Sequence, residues 1–136
     1  MTAAIRSFSG EHRFLSNFHV EKDGLTVEHR FAAAKTLSPE ERAAIMAAHS
    51  PGAAKRLGRR AALRPDWEDV KVGIMLELLQ QKFTDPELRT SLAATGDAEL
   101  VEGNTWSDRF WGVDLRTGAG RNVLGRTLML VRATLP

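Results

Sequence analysis

The 136-residue chain contains no cysteine, which excludes a disulfide framework, a thiolate metal site and a cysteine nucleophile. Its four histidines, His12, His19, His29 and His49, are scattered without HExxH or HxH spacing, which argues against zinc. No apolar run approaches the ~18 residues of a membrane span. Met1 to Ser7 lack the apolar segment of a signal peptide, so a cytoplasmic protein without membrane contact is expected. Charge of one sign is also scarce. The 19 Lys and Arg against 17 Asp and Glu leave a net charge of +2, too little for tight, sequence-independent DNA binding. A phosphate-bearing small ligand or a short stretch of nucleic acid is compatible with it. Neither GxxxxGK[ST] nor GxGxxG occurs, so no Walker A loop or dinucleotide fingerprint is present. There is no internal repeat, linker or low-complexity tract, and the length fits one domain over 1–136.

What the chain does have begins with Val27 to Lys35. Three alanines among good helix formers, with no Gly or Pro, predict a helix from Glu28 to about Leu37. Glu28, Ala32 and Lys35 recur on one face of it. Their two charged groups stand two turns apart, about 10 Å, too far for a simple ion pair. The spacing suits two groups reaching one bound molecule, or simply a solvated face.

Ahead of this helix, Ile5 to Phe8 reads as a short strand and Ser9-Gly10-Glu11 as a turn. Phe14-Leu15-Ser16-Asn17-Phe18 is an aromatic-anchored loop or a recognition loop. Asp23-Gly24 between β-prone runs predicts a hairpin over Val20 to Val27. Ser38-Pro39-Glu40-Glu41 opens a helix to about His49 with a capping box. Ala53 to Leu57 is a short helix with Gly58 beyond its end, and Arg59 to Pro65 is a basic segment, either a solvated loop or a phosphate contact.

Asp66 caps the longest expected helix, Trp67 to about Phe83. Trp67, Val70, Ile74 and Leu78, joined by Met75 and Leu79, form its core stripe, flanked by Lys71 and Lys82. Pro86 begins another helix, ending near Thr95, with Leu88, Leu92 and Ala93 toward the core. Glu99 to Asn104 reads as a strand that leaves Glu102 and Asn104 at its end. Trp106 and Trp111 crowd the loop after it. The Gly-rich segment Arg116 to Asn122 opens a last helix, Val123 to Arg132, where Gly125 permits close approach of a backbone or a ligand.

These segments, in order, resemble the NADAR family, which includes the YbiA-like N-glycosidases. The resemblance rests on Phe14 to Phe18, Val27 to Phe31 with Lys35, Gln81-Lys82-Phe83, Leu100-Val101-Glu102, Asp108 to Gly112, and Gly120 to Gly125 with Leu128 to Arg132. It runs from about Phe8 to Leu135. It implies a mainly α (α+β) fold, one α-rich domain with a small β hairpin or sheet. It also implies cleavage of a bond between a nitrogen and an anomeric ribose carbon, with no cofactor. The substrates it implies are ADP-ribose attached to guanine in DNA or nucleosides, or phosphorylated intermediates of riboflavin synthesis. A module that binds ADP-ribose without turnover is the non-enzymatic alternative.

By position, Lys35, Glu28, Glu102 and Asp108 match the reactive groups. Phe14, Ser16, Asn17, Phe18, His29, Trp67, Lys82, Asn104, Trp111, Gly112, Arg121, Asn122 and Gly125 fall in segments that would line the substrate site. Trp111, with Trp67, would stack a ring, and Arg121 with the start of the last helix would take phosphate. The chain departs from the family pattern at His19 and Val20, where an aromatic and then proline are frequent, and at Asp114, where glycine is usual. These departures bear on substrate choice more than on chemistry.

Overall fold

The computed structural model describes residues 3–136. They divide into two compact units: residues 17–78, and residues 3–16 with 79–136. The fold is mainly α, with a two-stranded parallel sheet.

The 17–78 unit begins with a turn and three helices. α1 spans Val27–Ala34, α2 Pro39–Met46 and α3 Pro51–Arg60. Each start follows the same chemistry: the hydroxyls of Thr26, Ser38 and Ser50 accept a hydrogen bond from the N–H three residues on. Pro39 and Pro51 occupy the first turn, where a missing N–H costs nothing. Ala32 and Ala33 of α1, Ile45 of α2 and Ala54 of α3 form the core of this unit. Gly58 lies inside α3 rather than beyond its end. A Cβ built there would stand 2.9 Å from the Ala32 Cβ, so glycine sets how closely α1 and α3 approach.

The Asp23-Gly24 hairpin does not form. Glu21 to Leu25 is a closed turn, with Glu21 N–H donating to Leu25 O and Gly24 N–H to Glu21 O, both at 2.9 Å. Arg30 of α1 binds the carboxylates of Glu21 and Asp23 from the side. The chain leaving the turn is taken into the Thr26 cap, so no second arm is left to pair.

α4, Trp67–Lys82, continues from one unit into the other. Asp66 precedes it, but its carboxylate is gripped by the Arg64 guanidinium at 2.6 and 3.0 Å. Trp67, Met75 and Leu79 are buried, while Val70, Ile74 and Leu78 are only half-buried. The core line thus steps by four residues from Trp67, through Lys71, and not by the predicted three and four.

In the other unit, residues Gly10–Leu15 form a 3-10 helix, and α5 runs Pro86–Ala94 from an Asp85 cap. Leu92 of α5 is fully buried, Leu88 half-buried and Ala93 exposed. Ile5 bridges Leu100 in parallel. β1, Gly103–Asn104, pairs with β2, Val113–Asp114, and α6, Val123–Ala133, closes the chain. Leu15, Leu79, Leu92, Leu100 and Leu128 form the most buried part of this unit. No described helix is long and apolar enough to cross a membrane.

Candidate active site

The 17–78 unit carries two of the four reactive candidates, Glu28 and Lys35, on α1. Glu28 lies in the first turn and is buried, at 8% exposure, where the helix dipole favours a carboxylate. Its N–H donates to the Asn17 carbonyl at 3.1 Å, so Asn17 is fastened to the start of α1. The Asn17 amide nitrogen donates to Met75 Sδ at 3.7 Å, and its Oδ1 is buried with no hydrogen-bond partner among the described residues. A buried amide oxygen without a donor is costly and marks a place where a ligand or water donor belongs.

Lys35 is the residue that ends α1 and is half-buried. The Arg64 N–H donates to its carbonyl at 2.7 Å and fixes this end of the helix. Burial holds the Lys35 ammonium below its ordinary pKa. Glu28 opposes that shift, and the charges of Lys55, Arg59 and Lys71 add to it. Glu28 and Lys35 therefore sense each other electrostatically across the two turns that separate them. Lys71 is itself paired with Glu68 at 2.6 Å. The role of Lys55 is absent from the sequence reading; its signal was the i, i+4 spacing with Arg59 on a helix without acids.

His29 has a different role from the predicted one. It is buried, with Nδ1 at 2.9 Å from Thr26 Oγ1 and Nε2 at 2.9 Å from the Ala48 carbonyl. Because Ala48 O only accepts, Nε2 carries the proton and the ring bolts α1 to the end of α2. His29→Ala is expected to cost about 2–4 kcal/mol, from the lost ring and an orphaned carbonyl. Urea unfolding measures it, and an unchanged midpoint would remove the bolt from the account. Trp67 is buried too, its ring centre 5.0 Å from that of Phe31 at 56°, and so belongs to the core.

In the other unit, the asparagines and glycines hold loops. The buried Asn104 amide donates to Asp108 O at 2.9 Å and to Val113 O at 3.3 Å, while its Oδ1 accepts the Asp108 N–H at 3.0 Å. Asn122, at φ 52°, accepts the Glu102 N–H and donates to Leu100 O, both at 2.9 Å. Gly112 and Gly125 admit the carbonyls of Glu102 and Leu100 where a Cβ would overlap them. Neither asparagine has its amide free for substrate, contrary to expectation.

Asp108 spends Oδ1 on the N–H groups of Phe110 and Trp111, at 3.1 and 3.0 Å. The half-buried Trp111 sits edge-on to Phe110, 4.9 Å between centres, and the exposed Arg121 lies 5.4 Å from the Phe110 ring. The expected phosphate site at the start of α6 is taken. The N–H groups of Asn122, Val123 and Leu124 donate to the carbonyls of Gly112, Phe110 and Trp111. Glu102 is half-buried between these loops.

The buried Lys82 gives its ammonium to the Ser16 carbonyl at 3.0 Å and so ties the end of α4 to Ser16. Phe14 and Phe18 are half-buried. Asp114, at a position where glycine is usual in the family pattern, is buried. The Arg116 N–H at 2.9 Å holds its carboxyl below the ordinary range against the cost of burial, helped by the charges of Arg116 and Arg109.

The arrangement has relatives. The NADAR domain family matches residues 6–136. The chain belongs to the NADAR family. It is 41% identical to the N-glycosidase YbiA of Escherichia coli, over 95% of this chain and 85% of that protein. It is 37% identical to a riboflavin biosynthesis protein of Vibrio vulnificus, over 91% of this chain but 36% of that longer protein. The solution structure of E. coli YbiA superimposes with a TM-score of 0.83 at 37% identity, covering 98% of this NADAR chain and 85% of the other.

Proposed function

We propose that this NADAR protein is an N-glycosidase that cleaves a ribose–nitrogen bond with Lys35 as nucleophile. The observation that carries the reading is the pairing of a half-buried, pKa-depressed lysine with a buried carboxylate on one helix, beside an unpaired Asn17 Oδ1. Simple binding of ADP-ribose needs neither a depressed amine nor a buried acid next to it.

The neutral Lys35 amine attacks ribose C1, and the C1–N bond breaks with its electron pair going to the base nitrogen, which is protonated. The lysine nitrogen, now bonded to C1, loses a proton, and the ring C1–O bond breaks with its electron pair going to the ring oxygen, which takes up a proton, to give a Schiff base. Water then adds to C1 and releases the free sugar and the amine, so the sum is hydrolysis. Glu28 supports the positive charge that develops at C1.

Two substrates are candidates: ADP-ribose on guanine, in DNA or nucleosides, and a phosphorylated ribosylated pyrimidine of riboflavin synthesis. The name of the Vibrio relative favours the second. Incubation with ADP-ribosylated DNA and, separately, with the pyrimidine ribotide decides between them. Release of free ADP-ribose supports the first, release of ribose 5-phosphate the second, and release of neither removes the enzymatic reading.

The amine gives a pH signature. Only the neutral form attacks, so borohydride-trapped adduct should accumulate faster as pH rises, levelling off at an inflection below the ordinary lysine value of 10.5. Glu28 raises the Lys35 pKa, so Glu28→Gln should move the inflection to still lower pH while slowing the plateau rate. An inflection moving upward in that variant contradicts the assignment.

A further inference from the structure

α3 carries Lys55, Arg56, Arg59 and Arg60 and not one acidic residue. Lys55 and Arg59 stand one turn apart on the same side of the helix. Between them, Gly58 brings α3 into contact with Ala32, one turn before Lys35 on α1. Lys55 Nζ lies 5.9 Å from the centre of the Phe18 ring, next to Asn17, whose carbonyl holds the start of α1. The two cations therefore border the ground between the recognition loop and the reactive amine.

Among the described residues, neither Lys55 nor Arg59 is paired with a carboxylate. Lys71, by contrast, has Glu68. Arg60 turns to the opposite edge, where it lines a small cavity with Glu41 and Ile45 of α2. Unpaired cations beside an amine that must lose its own proton carry an electrostatic cost, and a dianionic ligand group offsets it.

We infer that Lys55 and Arg59 bind the phosphoryl group on the 5′ carbon of the ribose whose C1 faces Lys35. This rests on the glycosidase reading above, and both substrate classes named there carry that group. The pair thus selects phosphorylated ribosides over plain ones. Arg59 contributes the planar fork that meets two phosphate oxygens, Lys55 a point charge steadied on the Phe18 face.

Titration calorimetry with methyl riboside 5-phosphate and with methyl riboside tests it on the full chain. Neither probe has an aldehyde for Lys35 or a nitrogen base to lose, so binding is read apart from chemistry. Wild type should prefer the phosphorylated probe by about tenfold or more. The double variants Lys55→Ala/Arg59→Ala and Lys55→Gln/Arg59→Gln should lose that preference, and Arg60→Ala should keep it, with circular dichroism confirming that each is folded. Equal binding of the two probes by wild type, or an undiminished preference in both double variants, overturns the assignment; glycosidase activity then stands on its own. A preference lost only in the double variants supports the site, even for a chain that cleaves neither proposed substrate, in which case the glycosidase reading alone falls.

Discussion

Lys35→Met is expected to lower glycosidase turnover by about 10³-fold or more, and to abolish the borohydride-trapped adduct, while the chain stays folded. The size follows from the role: a covalent partner has no substitute, whereas a residue that only orients substrate leaves partial activity. The folded state should survive because methionine matches the lysine stem in length, and because the Lys35 backbone bonds, to Ala32 O and from Arg64 N–H, do not involve the side chain. The charge removed is one that its surroundings disfavour, since burial and the cations Lys55, Arg59 and Lys71 outweigh the attraction of Glu28. Single-turnover kinetics and mass spectrometry of the reduced adduct read the two outcomes separately. Turnover within tenfold of wild type in Lys35→Met would sink the nucleophile assignment. A trapped adduct persisting in this variant would transfer the role to another amine. An unfolded variant is met by Lys35→Gln, which keeps length and polarity without a nucleophilic amine.

How far the sequence reached depends on what kind of signal each residue left. The helix starts were legible because capping is local: Ser38-Pro39-Glu40-Glu41 and Asp85-Pro86 carry their own chemistry. Asp23-Gly24 misled because the same dipeptide closes a lone turn when the chain beyond it enters a helix, and that choice is made by Arg30 reaching back to Glu21 and Asp23. Glu28 and Lys35 were legible as a pair on one face. Asn104 and Asn122 were legible as important but not as structural. An asparagine whose amide is spent on backbone looks identical in sequence to one that waits for a ligand, and only the hydrogen-bond partners separate them. His29 is the same case, a ring whose two nitrogens are both committed to the protein. Lys55 escaped because its neighbours in space, Phe18 and Lys35, are far from it in sequence.

Gly125→Ala is expected to destabilise the protein by about 3 kcal/mol, a large share of the ~5–15 kcal/mol that holds a domain together. Helix propensity alone argues the other way, since alanine in a helix interior gains about 1 kcal/mol over glycine. Sterics decide the sign. A methyl group at position 125 would overlap the Leu100 carbonyl oxygen and press on both ends of the Asn122 amide. None of these atoms can yield cheaply. The Leu100 oxygen accepts from Asn122 Nδ2 at 2.9 Å, and Leu100 itself bridges Ile5. The amide oxygen holds the Glu102 N–H at 2.9 Å. Overpacking costs about 1–3 kcal/mol, and each buried hydrogen bond it breaks adds about 1–3 more. Gly73 provides the matched comparison, for it lies inside α4 with nothing within 4 Å of the position a Cβ would take. Gly73→Ala should therefore stabilise by the propensity gain of about 1 kcal/mol. Urea unfolding of the two variants side by side should shift the midpoints in opposite directions. If Gly125→Ala stabilised as Gly73→Ala does, the close approach of α6 to Leu100 could not be what fixes Asn122, and through it Glu102, in place.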